Sequence, residues 1–267
     1  IRTERVSVLY VVPSICSLLT KLAVPADLTS VRYVVIGGTT LPLQIAKNFT
    51  AKFGLDILEG YGLSEASPVV AVNPPSLVKV GSIGRPLPDV EIRIATANGQ
   101  AAPLGESGEL LVRGDLVMPG YWKLPEDTAA ALQDGWLHTG DIARMDEDGY
   151  LYIVDRLKDM IISMGENIYP REIEELLYAY PGIQEAAVIG IDDKLRGQAG
   201  ACFYSVHESE TLDIRALKKH LQQNLALYKI PREFHELPAL PRTTTGKIAK
   251  REILAVYQAQ KAARRKQ

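Results

Sequence analysis

The sequence predicts an α/β region that continues into a small antiparallel β subdomain, followed by a separate, smaller α+β domain. Three patterns carry this prediction. The β-branched apolar run at 31–36 is typical of a buried parallel strand. Short alternating segments with Asn-Gly and Asp-Gly turns begin near residue 78 and indicate antiparallel hairpins. Beyond residue 160, two amphipathic helices alternate with apolar strands, which is typical of an α+β unit.

The first region, residues 1–77, is predicted to alternate strands and helices. Its apolar stretch at 8–19 contains a proline and is shorter than the roughly 20 residues of a spanning helix, so we expect a core strand and helix. After the run at 31–36, a Gly-Gly-Thr-Thr turn leads into a helix with Pro42 near its first turn. The next strand, at 55–58, ends at the stretch E-G-Y-G-L-S-E-A-S.

The second region, residues 78–155, is predicted to form a small antiparallel sheet or barrel. Its alternating segments lie at 90–96, 108–114 and 147–156. The charged residues 156–159 are the predicted hinge to the last domain.

The last domain, residues 160–267, is predicted to hold two helices that each present one apolar face. Apolar strands at 185–191 and 200–206 lie between these helices, and a short strand at 232–237 follows them. The apolar faces consist of Ile173, Leu176, Leu177 and Tyr180 in the first helix, and Ile214, Leu217, Leu221 and Leu225 in the second.

Composition restricts the partners and the compartment. The chain has 267 residues, 46% of them hydrophobic, and a formal net charge of -2, which gives no support to a nucleic-acid partner. Its two cysteines, Cys16 and Cys202, fit a reducing, cytoplasmic setting. Neither has a catalytic companion pattern, so we expect buried thiols. A peripheral contact with a membrane and the oligomeric state are left open.

Two glycine-rich stretches suggest a nucleotide site. Gly37, Gly38 and Thr39 end a buried strand, at the edge where α/β proteins bind nucleotides, although a plain structural turn is the alternative. In the second stretch, Gly60 and Gly62 are expected to form an exposed turn around Tyr61, which could stack on a base. The hydroxyl of Ser64 suits a phosphate, and the carboxylate of Glu65 suits a hard cation.

Three later motifs carry charged groups. Asp141 in T-G-D is expected at a strand end, where a carboxylate can accept both hydroxyls of a ribose, with His138 as a packed structural neighbour. Arg156 could hold ribose or phosphate from the hinge. Gly165 lies on a tight loop before a helix. Lys247 follows Gly246 on a late turn that does not match a P-loop, and without context a surface turn is the simpler interpretation.

The order of these motifs resembles the adenylate-forming superfamily, which includes acyl-CoA synthetases, peptide-synthetase adenylation domains and beetle luciferases. The motifs run Y-G-x-S/T-E, T-G-D, D-R-x-K-D, G-E-N-I-Y-P-x-E-I-E and P-x-T-x-T-G-K, over essentially the whole chain. The loop M-G-E-N-I-Y-P-R-E-I-E resembles fatty acyl-CoA synthetases in particular. The resemblance implies the remainder of a large α/β adenylation domain, a small β subdomain and a small mobile C-terminal domain.

The resemblance also implies a reaction that uses ATP, Mg²⁺, a fatty acid and coenzyme A. In that reaction a carboxylate reacts with ATP to give acyl-AMP and pyrophosphate, and coenzyme A then displaces AMP. The implied nucleotide-binding residues are Gly37, Gly38, Thr39, Tyr61, Gly62, Ser64, Asp141, Ile153 and Arg156.

The remaining implied roles divide between catalysis, the hinge and the thiol substrate. Lys247 is the implied adenylation lysine, assisted by Ser64 and by Glu65 as the Mg²⁺ ligand. Lys158 is the implied pivot of the small domain. The coenzyme A channel would be lined by Met164, Gly165 and Glu166.

Two departures from the family pattern shape the prediction. The family places a phosphate-binding loop with its own lysine upstream, and neither this loop nor most of the first subdomain occurs in the chain. We therefore expect a fragment whose missing N-terminal half completes the enzyme. The alternatives are an acyl-AMP ligase that loads a carrier protein and a non-catalytic nucleotide-binding module. Acyl chain length is not determined.

Overall fold

The computed structural model describes residues 1–22, 27–39, 41–207, 211–244 and 246–264. The chain divides into two compact units, Ile1–Leu157 and Lys158–Gln267. This division falls inside the predicted hinge at 156–159. The motion of one unit about the other stays a prediction.

The first unit begins with a five-stranded sheet and two helices. Strands one to three of this sheet pair in parallel, and the last two pairings are antiparallel, in the order β1-β2-β3-β4-β5. The elements are β1 (Val8–Val11), α1 (Pro13–Lys21), β2 (Tyr33–Ile36), α2 (Leu43–Phe53), β3 (Ile57–Gly62), β4 (Val69–Val72) and β5 (Arg85–Pro86). The sheet therefore continues past the predicted boundary at residue 77.

The parallel part of this sheet is covered by α1 and α2 on one face. Cys16 of α1 and Phe49 of α2 are fully buried against Val34 and Ile36 of β2. Strand β1 is the edge of the sheet, and its apolar side chains Val8 and Tyr10 are exposed. Parallel strands are normally covered on both faces. The exposed Val8 and Tyr10 therefore form apolar surface on β1 that the described residues leave uncovered.

The second sheet of this unit is antiparallel, in the order β10-β9-β7-β6, and β8 also pairs with β9. Its elements are β6 (Glu91–Ala95), β7 (Gly108–Arg113), α3 (Pro125–Ala131), β8 (Leu132–Gln133), β9 (Trp136–Met145) and β10 (Leu151–Arg156). Buried Leu110, Val112, Leu137 and Leu151 form its core. The three predicted strands are present, whereas α3 was not predicted from the sequence.

The second unit is a three-layer α+β structure. Its sheet has the order β12-β11-β14-β13, with β15 parallel to β14. The elements are β11 (Ile161–Ser163), β12 (Glu166–Ile168), α4 (Pro170–Tyr178), β13 (Ile183–Asp193), β14 (Gly197–Val206), α5 (Ile214–Asn224), β15 (Glu233–Glu236) and α6 (Lys250–Arg264).

Alternating residues of β13 and β14 bury both faces of this sheet. Val188 and Cys202 point toward α4 and α5, where Ile173, Leu177 and Leu217 are fully buried. The next residues along each strand pack on the other side, with residues of α6. The two predicted helical faces are thus the ones that cover the sheet. The helix that follows Lys247 covers the opposite face.

Both cysteines have the predicted environment. Cys16 and Cys202 are free and buried. Burial raises the pKa of the Cys16 thiol to about 11, and burial raises that of Cys202 as well. Within the described ranges, no helix has the length and apolar character that a membrane crossing requires.

Candidate functional site

Side chains from two sheets meet at Asp141. Asp141 on β9 and Arg156 on β10 occupy directly opposed positions, which places their side chains on the same face. Arg156 Nε lies 3.4 Å from Asp141 Oδ1. The Tyr61 hydroxyl, on β3 of the other sheet, donates a 2.6 Å hydrogen bond to Asp141 Oδ2. Each oxygen of this buried carboxylate therefore has its own partner.

The electrostatics of this cluster keep the phenol of Tyr61 neutral. Burial and the neighbouring Asp141 carboxylate raise the pKa of the Tyr61 phenol well above its usual range. The phenol therefore stays a donor at neutral pH. Because a carboxylate has about four lone-pair sites, Asp141 can accept further hydrogen bonds from a ligand's hydroxyl groups.

Two local predictions about this cluster were wrong. Gly60 and Gly62 do not form an exposed turn around Tyr61, because all three residues lie inside β3 and are half-buried. Their strand is longer than predicted since Tyr61 pairs with Ala71 of β4. Asp141 is not at a strand end but in the middle of the ten-residue β9. The presentation of Asp141 therefore needs an irregularity within that strand.

The glycines beside Tyr61 have different structural reasons. A Cβ on Gly62 would lie 1.7 Å from the carbonyl oxygen of Pro68, so the bulged β3–β4 pairing requires glycine there. Gly38 has φ of 81° with open space around it, which makes its requirement conformational. A Cβ on Gly37 would lie 3.6 Å from the carbonyl oxygen of Gly60. The Gly37–Thr39 turn is thus beside the strand that carries Tyr61.

Glu65 lies just after this strand and anchors a distant loop. It belongs to the short 3-10 helix Ser64–Ala66, in which Ser64 is exposed. The Tyr121 hydroxyl donates to Glu65 Oε1 at 2.9 Å, and the Met118 N–H donates to the Glu65 carbonyl oxygen at 2.8 Å. Sequence reasoning missed Tyr121, which lies 56 residues away. No local pattern signals this partnership.

The carboxylate of Glu65 fits the predicted Mg²⁺ role in its chemistry. Mg²⁺ in nucleotide sites is usually held by one or two carboxylates, with substrate phosphates and water completing the shell. Across the described ranges, no group of three or more His, Cys, Asp or Glu side chains forms a ready-made metal cage. A single carboxylate with spare lone pairs is compatible with a metal that arrives with phosphates.

The remaining predicted residues of the first unit lie along β10 and its end. Ile153 is half-buried, packs against the core of the second sheet and is paired with Ala143. The strand is irregular between Ile153 and Asp155, so the two ends of β10 differ in register. Arg156 ends the strand, and the short 3-10 helix Leu157–Asp159, with exposed Lys158, follows at once.

In the second unit, the predicted coenzyme A residues form the tip of a tight hairpin. Met164 and Gly165 connect β11 to β12, with φ values of 54° and 85°. Two consecutive positive φ angles in a two-residue connection are the geometry of a type I′ turn. Met164 is 71% exposed, and Glu166 beside it is also exposed. The predicted tight loop is therefore present, as a hairpin rather than an irregular loop.

Lys247 lies on a separate loop that is held closed by its neighbours. Arg242 and Ile248 form a β-bridge across the loop, and the Thr243 N–H donates to the Lys247 carbonyl oxygen at 2.8 Å. The Arg242 guanidinium contacts both the Gly246 carbonyl oxygen and the Glu185 carboxylate of β13. Gly246 has the predicted positive φ, at 84°. The exposed Lys247 side chain therefore extends from a braced loop.

Comparisons with known proteins support the motif interpretation. Residues 1–122 match the family described as AMP-binding enzyme, and residues 172–247 match the AMP-binding enzyme C-terminal domain. A feruloyl-CoA synthase from Amycolatopsis sp is 42% identical over 259 residues, covering 95% of this chain and 52% of that protein. A long-chain-fatty-acid–CoA ligase from Bacillus subtilis is 44% identical over 233 residues, covering 85% of this chain and 41% of that protein.

The structural comparison agrees. The crystal structure of ATP-bound MatB from Rhodopseudomonas palustris matches with a TM-score of 0.90 and 32% identity, covering 95% of this chain and 51% of that one. The chain spans about half the length of the curated relatives it matches.

Proposed function

The chain belongs to the adenylate-forming superfamily of AMP-binding enzymes, and from this premise we propose that it is the C-terminal half of an AMP-forming acyl-CoA ligase. In this proposal the first half-reaction joins a carboxylic acid to AMP and releases pyrophosphate. The second transfers the acyl group to the thiol of coenzyme A and releases AMP. In this proposal the activity belongs to a longer protein that contains this chain.

The observation that carries the proposal is the convergence of Tyr61 and Arg156 on the Asp141 carboxylate. Three of the predicted nucleotide-binding residues, from distant parts of the sequence, meet at one buried acceptor. A buried carboxylate with spare lone pairs is suited to the two hydroxyl groups of a ribose. The Gly37–Thr39 turn, beside β3, provides exposed backbone near the same strand.

In the proposed first half-reaction, negative charge develops on ATP and is balanced by positive groups. A carboxylate oxygen of the acid attacks the α-phosphorus of ATP, and the bond to the bridging oxygen of pyrophosphate breaks. Negative charge grows on the phosphate and bridging oxygens, and the ammonium of Lys247 stabilises it. Mg²⁺ bound with ATP would neutralise phosphate charge, and Glu65 and Ser64 are the residues that would hold the metal and the phosphate.

In the second half-reaction the thiolate of coenzyme A attacks the acyl carbon, and AMP leaves through its phosphate oxygen. In this proposal Lys247 acts only in the first half-reaction, because the pyrophosphate whose developing charge it stabilises has already left. We propose that the Met164–Glu166 hairpin, exposed in the second unit, then lines the coenzyme A channel. The two steps would use different loops of one mobile domain, with Lys158 as the pivot.

For the acid, we propose a long-chain fatty acid, with a hydroxycinnamate such as ferulate as the second candidate. The Bacillus subtilis fatty-acid ligase has the higher identity, whereas the Amycolatopsis feruloyl-CoA synthase matches more of the chain. The acid pocket of such enzymes would be built mostly from residues outside this chain, so the choice between the two acids is tested on the longer protein.

The test uses the longer protein with ATP, Mg²⁺, coenzyme A and a panel of fatty and aromatic acids. AMP and acyl-CoA formation with one acid class supports the ligase and identifies its substrate. Acyl-AMP that accumulates and is transferred only to a carrier-protein pantetheine arm would instead identify an acyl-AMP ligase. Nucleotide binding without pyrophosphate release from any acid would identify a non-catalytic module and overturn the proposal.

The 267-residue chain alone is expected not to adenylate an acid, because the family's upstream phosphate loop is not part of it. Acid-dependent exchange of labelled pyrophosphate into ATP is the sensitive assay. The Lys247→Ala chain is the matched blank. Exchange by the wild-type chain clearly above this blank would show that these residues suffice, and would contradict the proposed division of the active site.

A further inference from the structure

The strand that carries Asp141 has an irregularity opposite β7. Glu109 of β7 faces Ile142 of β9, and two residues later Leu111 faces His138. Between these two pairs β9 has three residues, 139–141, and β7 has only Leu110, so the segment 139–141 bulges opposite Leu110. Bulges of this kind turn a side chain away from its regular direction, which is what a mid-strand aspartate needs to face a ligand.

One carboxylate holds this bulge from the neighbouring strand. Glu109 Oε1 accepts a hydrogen bond from the Gly140 N–H at 3.2 Å, and Glu109 Oε2 lies 2.9 Å from His138 Nδ1. The Glu109 side chain thus contacts the residue just before the bulge and the residue in its middle. Gly140 has φ of 68°, a left-handed conformation that glycine adopts readily. The hydrogen bond from the Gly140 N–H to Glu109 helps to retain this conformation.

A second contact chain completes the geometry. The Thr139 hydroxyl donates to the Leu110 carbonyl oxygen at 2.7 Å and accepts from the Asp141 N–H at 3.1 Å. Asp141 is therefore fixed at both ends: its backbone through the bulge, and its carboxylate through Tyr61 and Arg156.

We propose that Glu109 is a positioning residue for nucleotide recognition, which acts by holding the Thr139–Gly140 bulge so that Asp141 faces the ribose. This inference rests on the proposed nucleotide site. It gives the Glu109–His138 pair a function. From the sequence, Glu109 was predicted only as part of a strand and His138 only as a packed structural residue. Glu109 touches neither substrate nor reacting atoms in this proposal.

A purely structural role for Glu109 is the competing explanation. Both side chains of the pair are partly exposed, at 21% for Glu109 and 29% for His138, so the pair is not a deeply buried core contact. A structural role would alter stability and would affect all nucleotides equally. A positioning role alters the part of binding that depends on ribose hydroxyl groups, because Asp141 is the proposed ribose acceptor and its backbone belongs to the bulge.

The experiment compares AMP with 2′,3′-dideoxy-AMP on the 267-residue chain, with binding followed by backbone amide NMR shifts. Hydrogen bonds to a charged group contribute about 1.5–3 kcal/mol, so the wild-type chain is expected to prefer AMP by roughly tenfold or more. Absence of any ribose preference in the wild type would overturn the proposed nucleotide site itself, whatever Glu109 does.

Two variants then test the positioning. Glu109→Ala loses both contacts and should lower the AMP preference at least about fivefold, while dideoxy-AMP affinity stays within about twofold. Glu109→Gln keeps an acceptor for Gly140 and a polar group for His138, and should retain the preference. Glu91→Ala, which removes an exposed carboxylate paired with Arg113 on the same sheet, is the matched control and should change neither ligand.

Hydrogen exchange tests the same contact without any nucleotide. Hydrogen exchange of the Gly140 amide should accelerate in Glu109→Ala and not in Glu109→Gln or Glu91→Ala, with thermal midpoints recorded for each. Unchanged Gly140 exchange in Glu109→Ala would overturn the inference. So would an equal loss of affinity for both nucleotides, or a Glu109→Gln chain that behaves like Glu109→Ala.

Discussion

At the scale of single residues, Asp141 is the acceptor on which the candidate site depends. The residue is 9% exposed, and its carboxylate is held between a neutral phenol and a guanidinium. Removal of this carboxylate leaves the Tyr61 hydroxyl and the Arg156 guanidinium without their acceptor. The loss in free energy then exceeds that of the contact alone, because a buried donor stays unsatisfied. Substitutions here should therefore affect both binding and local order.

Replacement of Asp141 by alanine should weaken ATP binding in the intact enzyme. The ribose would lose a charged acceptor, at about 1.5–3 kcal/mol per hydrogen bond. Isothermal titration calorimetry with ATP measures this loss directly, and Asp141→Asn, which keeps the shape and loses the charge, is the companion variant. An ATP affinity equal to that of the wild type would remove Asp141 from the site.

Replacement of Lys247 by alanine should slow adenylation selectively. Removal of one preorganised electrostatic contact costs roughly 10²–10³-fold in rate, so acyl-AMP formation by the intact enzyme should fall on this scale. Thioester formation from pre-made acyl-AMP should change little, because no pyrophosphate departs in that step. Single-turnover assays of each half-reaction separate the two effects; an equal loss in both would contradict the proposed division of labour.

At the scale of elements, the connection between β9 and β10 is held by Asp146, and Asp148 beside it also binds Lys79, at 2.6 Å. Asp146 Oδ1 accepts from the Tyr150 N–H at 2.9 Å, and Asp146 Oδ2 accepts from Lys79 Nζ at 2.7 Å. Lys79 belongs to the segment between β4 and β5, so this contact links the two sheets of the first unit. Lys79 also lies 4.5 Å from the centre of the Tyr150 ring.

This connection should become weaker in acid. Burial alone would raise the pKa of the Asp146 carboxyl, but hydrogen bonds from Lys79, the Tyr150 N–H and Tyr152 lower it from 3.8 to about 2. A lowered folded-state pKa contributes stability that is fully present above the unfolded value and is lost as the pH falls from about 3.8 toward 2. Urea unfolding of the chain between pH 7 and pH 2 measures this loss.

The control for this prediction is Asp146→Asn, which is nearly isosteric and cannot ionise. Its urea midpoint should be lower at pH 7, and the difference from the wild type should shrink as the pH approaches 2. A difference that stays constant through this pH window would show that the charge of Asp146 does not stabilise the connection.

At the scale of the whole molecule, the chain divides where its two patterns of secondary structure meet. Each unit has its own sheets and its own buried clusters, and the division lies between Leu157 and Lys158. The predicted site residues divide likewise: the nucleotide residues belong to the first unit, and Met164–Glu166 and Lys247 belong to the second. A reaction in two steps that need different loops of the second unit would require a pivot between the units.

Proline at position 158 should therefore separate the two half-reactions of the intact enzyme. Proline fixes φ near −65° and restricts Leu157 before it, so a rotation about this residue would be blocked. Acyl-AMP formation should be largely retained, whereas the thioester step should fall steeply. Rapid-quench measurements of both steps provide the test.

Lys158→Ala is the matched control for this prediction, because it removes the exposed side chain and keeps the backbone freedom. It should change neither step appreciably. If alanine is as damaging as proline, the Lys158 side chain has a chemical role and the pivot interpretation is wrong.

Local pattern was sufficient for much of this architecture. The apolar run at 31–36, the hairpin turns and the two amphipathic helices of the second unit are all present in the structure, because each is encoded by the periodicity of a few consecutive residues. The order of the motifs was sufficient to identify the superfamily, which the family comparisons show. Short segments with strong periodicity and glycine at fixed points leave few alternatives.

Tertiary structure alone decided how the site is assembled. The placement of Tyr61 inside a strand follows from its pairing with Ala71, and the presentation of Asp141 follows from a bulge held by Glu109 on another strand. The Tyr121–Glu65 contact joins residues 56 positions apart. Strand register, bulges and contacts between sheets depend on which segments become neighbours in space, and hydrophobic periodicity within one segment does not encode that choice.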